Sequence, residues 1–245
     1  DLQQVDVERG AVDDRARRAR RRPLSAPPVS RVAVDLTSLL DRLTGVGVIV
    51  RELTSRLAAR DDLALTGYAV TWRGRHRLAE VAPPGVALVD RPMAARPLHE
   101  LWRRTDHPRI DRWIGRQDVV WGPNYVVPPT AAGALVTVHD LTTVHYPELA
   151  DGFTLAYPDL VRRALRRGAW VHTASAFVRD EVIEHLGADP DRVVAIPHGV
   201  PAAADGGDPG AGAALAGGDR YVLAVGTVEP RKDLPTLVAA FDDLA

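Results

Sequence analysis

The chain has 245 residues, 46% of them apolar, with 31 basic and 32 acidic side chains and a formal net charge of −1. That balance argues against a general nucleic-acid binder. The lack of cysteine excludes disulfides, thiolate catalysis and zinc–cysteine sites. No apolar run reaches the length of a membrane span and no signal peptide is visible, so a cytoplasmic protein is expected. The chain starts at Asp1 and stops inside a helical pattern, which leads us to expect a piece of a longer protein.

Residues 1–30 show no apolar periodicity. They hold an arginine run, Arg15, Arg17, Arg18 and Arg20 to Arg22, followed by Pro23, Pro27 and Pro28. Such a stretch builds no core and is expected to be a disordered basic leader, either an arm for anionic lipid or an extension without a role. Order is expected from Arg31. The run 32–36 predicts a buried strand, Gly45-Val46-Gly47 a loop, and 48–59 a helix with Val50, Leu53 and Leu57 on one face. Strands follow at 63–70 and 86–89, and residues 98–115 predict a helix rich in Trp and Arg. Further strands are expected at 118–121, 134–138 and 169–173, with a helix at 155–167 ended by Gly168. Ser175 suits the cap of a helix that buries Val178, Val182 and Leu186 and stops at Gly187. Residues 193–196 form the last strand of this unit.

Strands alternating with helices predict an α/β fold, a parallel sheet covered on both faces. Residues 201–219, dominated by Ala, Gly, Pro and Asp, read as a flexible linker. The apolar run 221–225 then predicts a strand, and Pro235 the first turn of a helix. The expected organisation is a leader (1–30), a Rossmann-like domain (31–200), a linker (201–219) and the start of a second α/β domain (220–245).

Four places could carry chemistry. Gly45 and Gly47 lie between a first strand and a first helix, where backbone can approach an anionic ligand. A dinucleotide fingerprint would need a third glycine where Val50 stands, and an acidic residue after the next strand, which is missing. His139 follows a strand, at the edge where open α/β sheets bind ligands, whereas its neighbour Asp140 is expected to point elsewhere. A metal held by His139, Asp140 and His145 ranks below an organic ligand. Tyr146, Glu148 and Asp151 read as loop residues. Finally, Arg231 and Lys232, the chain's one lysine, precede a helix. They are either a seat for a phosphate or a solvated charge pair, and spacing alone does not separate these.

Four segments occur in a telling order: Val136-Thr137-Val138-His139-Asp140-Leu141, Thr173-Ala174-Ser175-Ala176-Phe177-Val178-Arg179, Val194-Ala195-Ile196-Pro197-His198-Gly199-Val200 and Val225-Gly226-Thr227-Val228-Glu229-Pro230-Arg231-Lys232-Asp233. Together they resemble a retaining glycosyltransferase of family 4, of the GT-B fold, over residues 31–245. The resemblance implies two Rossmann-like domains across a cleft, the first binding an acceptor and the second a nucleotide-diphosphate-sugar. It implies that His139 contacts the transferred sugar near its reacting carbon, and that Gly45, Gly47, Arg231 and Lys232 hold the donor phosphates. Asp140, Ser175, His198, Gly199, Gly226, Thr227 and Glu229 are then candidate cleft-lining residues.

Neither a metal nor another cofactor is expected, since Arg and Lys neutralise the departing diphosphate. The implied partners are a nucleotide-sugar and a carbohydrate or lipid-linked acceptor, with peripheral contact at the inner membrane face. Cell-envelope glycan synthesis is the commonest setting of such enzymes. Thr227 departs from the family pattern, which often has arginine after that glycine. The paired glutamates that hold the donor would lie beyond Ala245, so the 245-residue piece is expected to be inactive. The competing readings are a non-catalytic α/β ligand-binding or interaction domain, and another GT-B enzyme such as an epimerase or phosphorylase.

Overall fold

A computed structural model describes residues 29–150, 152–199 and 208–243, apart from the side chains of Pro209 and Arg231. The described residues form seven strands: β1 (Ser30–Asp35), β2 (Leu63–Tyr68), β3 (Ala87–Val89), β4 (Val119–Gly122), β5 (Gly133–Val138), β6 (Trp170–Thr173) and β7 (Val193–Ala195). All seven make one parallel sheet in the order β3-β2-β1-β4-β5-β6-β7. The fold is therefore α/β and Rossmann-like. Between the strands come α1 (Gly45–Ala58), α2 (Leu78–Val81), α3 (Ala95–Arg104), α4 (Asp111–Ile114), α5 (Thr142–His145), α6 (Tyr157–Arg166) and α7 (Ala176–Leu186). Beyond the sheet lie α8 (Pro209–Ala216) and α9 (Leu234–Asp242).

The strands read as largely apolar runs because the sheet packs on both faces, and alternate side chains feed different cores. Ala33, Val120, Val136, Val138 and Val171 point to one face, where Leu98 and Trp102 of α3, Leu160, Val161 and Ala164 of α6, and Val178 and Val182 of α7 cover them. Val34, Leu36 and Trp121 point to the other, against Val50 of α1 and Leu78 of α2. Each large side chain so buried contributes about 1.5–3 kcal/mol. The second face is covered only in part. Trp170 and Ile196, on and just after the last two strands, remain 47% and 56% exposed.

Several expectations need correction. Gly45, Val46 and Gly47 are no loop: α1 begins at Gly45, with Thr44 as its N-cap. Gly47 is buried there, and a Cβ on it would lie 2.9 Å from Leu43 Cδ1 and 3.0 Å from the Ser38 carbonyl oxygen. The glycine thus lets the helix start pack against the preceding turn. The single helix expected over 98–115 is two, α3 and α4, because Thr105 turns extended and its hydroxyl bonds the carbonyls of Leu101 and His107. Residues 142–149, expected as loop, hold α5 and a 3₁₀ turn, Pro147–Leu149.

The strand expected at 221–225 does not form. These residues pair with no strand of the sheet, and Val222 and Val225 are 67% and 88% exposed. An apolar run has strand propensity, but a strand exists only through its neighbour's ladder. The linker expected at 201–219 contains α8, which Asp208 caps by accepting from the Gly210 amide at 2.8 Å. The expected leader lies outside the described residues up to Pro28, as does the linker from Pro201 to Gly207, and β1 begins at Ser30, two residues before the expected strand.

Candidate functional site

The carboxyl ends of the strands bring together three histidines that are distant in sequence. His139 leaves the tip of β5. Its ring lies 5.7 Å from that of His198, beyond β7, and His198 lies 5.6 Å from His172 on β6. His139 Nε2 is 2.9 Å from the Pro123 carbonyl oxygen. A carbonyl only accepts, so Nε2 carries the proton and Nδ1 keeps its lone pair in the neutral ring. Burial holds His139 below the usual imidazole range, and His198 adds to that by repulsion, against the Pro123 bond. His198 is lowered as well, by burial first and His172 second, and its Nε2 is buried without a hydrogen-bond partner.

The loop after β4 shapes the floor beneath His139. It folds back so tightly that a Cβ on Gly122 would fall 1.9 Å from the Val126 carbonyl oxygen. Tyr125 sits in the left-handed region, φ 59°. That conformation costs a bulky residue about 1–3 kcal/mol. Its surroundings offset the cost: the Tyr125 amide donates to the Thr137 carbonyl at 2.9 Å, and its ring stacks on Tyr157 at 4.7 Å. The same ring meets His139 edge-on at 5.7 Å.

The other expected site residues sort by what they touch. Asp140 turns the chain out of the strand tip. Its carboxylate accepts from the Thr142 amide at 2.9 Å, turning the chain into α5, while its own amide donates to the Tyr125 hydroxyl at 3.0 Å. The Ser175 hydroxyl accepts from the Val178 amide at 3.2 Å and so caps α7. His198 and Gly199 line a cavity of about 360 Å³ with Val48, Ile49, Glu52, Leu53 and Arg56 of α1. Gly45 opens that helix, and a Cβ added there would meet nothing within 4 Å. Thr44 provides no side-chain cap to its amides.

Gly226, at a bend, and Thr227 lie in the exposed stretch before a 3₁₀ turn, Pro230–Lys232. Glu229 precedes that turn, its carbonyl accepting from the Lys232 amide at 3.0 Å. The Lys232 side chain is exposed; that of Arg231 lies outside the described residues. Asp151, one of the expected loop residues, lies outside them too.

Sequence reading missed several contributors. Thr137 accepts from the Trp121 indole N–H at 3.0 Å and bonds His172 Nδ1 at 3.2 Å, while His172 Nε2 reaches the Ile196 carbonyl at 2.9 Å. This chain ties β4, β5, β6 and the exit of β7 together under the histidines. Asp35 ends β1, and burial pushes its carboxyl up to about 6 although Thr37 bonds pull it down. Thr37 donates to Asp35 and accepts from the Val70 amide at 2.9 Å, pinning the exits of β1 and β2. His99 is another. With Arg96, Glu100, Gly152, Phe153 and Ala156 it lines a cavity of about 510 Å³. The one available signal was position: Asp35 stands at a strand end as His139 does.

Among the described residues no helix is long and apolar enough to cross a membrane. No curated protein matches the chain significantly. A crystal structure of a glycosyltransferase from Rickettsia africae ESF-5 aligns at 14% identity with a TM-score of 0.37, which is too loose an overlap to bear on the fold. The alignment takes in 71% of this chain and 44% of that one, so the chain spans under half of that protein's length. The model of the family described as Glycosyltransferase Family 4 matches residues 43–204, well over half of the 245 residues. Those residues run from just before the glycines of α1 to just past His198, and on that match the chain belongs to glycosyltransferase family 4.

Proposed function

We propose that this chain is the acceptor-side domain of a retaining, GT-B type glycosyltransferase. In this reading the whole protein moves a hexosyl group from a nucleotide-diphosphate-sugar to an acceptor hydroxyl, and the 245 residues alone do not turn over. The observation that carries it is His139: a half-buried imidazole at a strand tip, its Nε2 proton committed to Pro123, held neutral by burial. Nδ1 is then left to accept from a sugar hydroxyl, and an uncharged ring does not repel the positive charge that builds on the sugar.

The first turn of α1 faces the donor phosphates. Gly45 leaves open space at its backbone, and the helix N-terminus favours an anion. Lys232 and Arg231, at the start of α9, supply positive charge to the departing diphosphate. In the transfer step the bond from the anomeric carbon to the diphosphate oxygen breaks. The acceptor oxygen bonds the same face of that carbon, and its proton passes to the leaving phosphate. No protein base is consumed.

The test uses the protein carrying a complete donor-side domain, with product anomers read by NMR. His139→Ala should lower kcat on the order of 100-fold, the size expected for a preorganised polar contact in a water-poor site. Lys232→Ala should do the same. Unchanged turnover in both variants would overturn the reading, and an inverted product would overturn its stereochemistry.

A further inference from the structure

Away from the histidines of the strand tips, α5 and α7 meet in a second polar cluster. His145 closes α5. Glu181 and His185 are four residues apart on α7, so they share one face a turn apart. His145 Nε2 is 2.7 Å from Glu181 Oε1. The rings of His145 and His185 meet at 88°, centroids 5.0 Å apart. Among the described residues this is the one group of three His, Asp or Glu side chains whose ligand atoms all lie within 4.8 Å of one another.

We propose that His145, Glu181 and His185 bind a divalent transition-metal ion, zinc by preference, which clips α5 to α7. Two imidazole nitrogens and one carboxylate oxygen are a usual zinc set, with the fourth position left to water. Magnesium and calcium, which want oxygen ligands, are poorly served by it. Zinc–ligand bonds of about 2.0–2.1 Å place tetrahedral ligand atoms about 3.3 Å apart. The His145–Glu181 pair, hydrogen-bonded at 2.7 Å, opens by about 0.6 Å to reach that spacing. Rotation of the exposed His185 ring closes the rest. Glu181 is the fixed point, its side chain only 16% exposed.

Arg162 of α6 steadies the end of α7 by donating to the His185 carbonyl at 3.1 Å. The ion would displace the proton between His145 and Glu181 and replace a pairwise contact by a three-way one. Because α5 follows His139 by three residues, the clip would also fix the segment that leaves the strand tip.

The probe is zinc chloride added to the chelator-stripped chain, followed by calorimetry and thermal unfolding, with cobalt(II) as a spectroscopic substitute. One ion should bind per chain at micromolar strength or tighter. The melting temperature should rise with the logarithm of free zinc. Cobalt should give visible absorption of tetrahedral intensity without thiolate bands. His185→Ala, on an exposed side chain, and Glu181→Gln, which keeps volume, should each weaken zinc at least about 10-fold, the loss that even outer partners of a ligand can cause. Equal binding by both variants, no binding below millimolar zinc, or loss of binding in His198→Ala instead would overturn the site.

Discussion

At the scale of single residues, Thr137 is the hinge of the site. It is 2% exposed, and its hydroxyl stands between Trp121 and His172. Valine keeps its shape and removes both bonds, leaving an indole N–H and an imidazole nitrogen without that partner. Thr137→Val should therefore destabilise the fold by about 1–3 kcal/mol, read as a lowered urea midpoint at constant m, with Thr137→Ser recovering most of it. An unchanged midpoint would show that water replaces the hydroxyl. His139 was legible from sequence because strand ends of α/β sheets bind ligands. Thr137 and His172 were not, since they stand 35 residues apart and only the β5–β6 register joins them. Tyr125 was hidden for a different reason: Gly122, Pro123 and Asn124 announce a turn, but a tyrosine is not the residue that its left-handed position favours.

At the scale of elements, the two glycines of α1 separate packing from ligand approach. A methyl at Gly47 meets the Ser38 backbone, which cannot yield as a side-chain tip can. Gly47→Ala should cost about 1–3 kcal/mol, the usual penalty of overpacking. A methyl at Gly45 meets nothing, and alanine removes unfolded-state freedom, so Gly45→Ala should stabilise by about 0.4–1 kcal/mol. If the donor phosphate sits there, the same substitution raises the donor KM in the complete enzyme. Chemical unfolding and donor titration of the two variants check both statements. All seven strands were legible as short apolar runs, because a parallel sheet puts apolar residues on both of its faces. The helix start at Gly45 was not, since a Gly-Val-Gly stretch reads as a loop unless the close approach of Ser38 to Gly47 is known. The run at 221–225 shows the converse: propensity was present, and the pairing that would use it was not.

At the scale of the whole molecule, buried histidines set the response to acid. Burial lowers His99 to about 4 from 6.5. Above pH 6.5 its neutral form suits both folded and unfolded chains. As the pH falls from 6.5 toward 4, the unfolded chain takes up a proton that the folded one refuses, and stability drops by on the order of 3 kcal/mol. His139 and His198 act in the same direction. Asp35 opposes them: with its carboxyl raised to about 6, the folded state holds a proton the unfolded state has released, and that advantage is lost as the pH rises through 6. His99→Phe, which keeps an aromatic ring against Trp102 and Phe153, should flatten the decline below pH 6.5. Denaturant midpoints of both proteins at pH 7.5 and pH 4.5 measure it, and parallel declines would contradict the assignment.

The position of β1 has a consequence for biosynthesis. It lies between β2 and β4, and Arg31 and Asp118, which bond one another across that seam, are 87 residues apart. A ribosome delivers β2 soon after β1 but must translate through α3 and α4 before the other partner emerges. Until then one flank of β1 is bare, Val32 to Val34 still waiting for Val119 to Trp121. Nascent chains arrested in that interval offer an open hydrogen-bonding edge to chaperones or to each other. Slowed translation upstream of residue 119 should lower the soluble yield more than the same delay placed downstream of it.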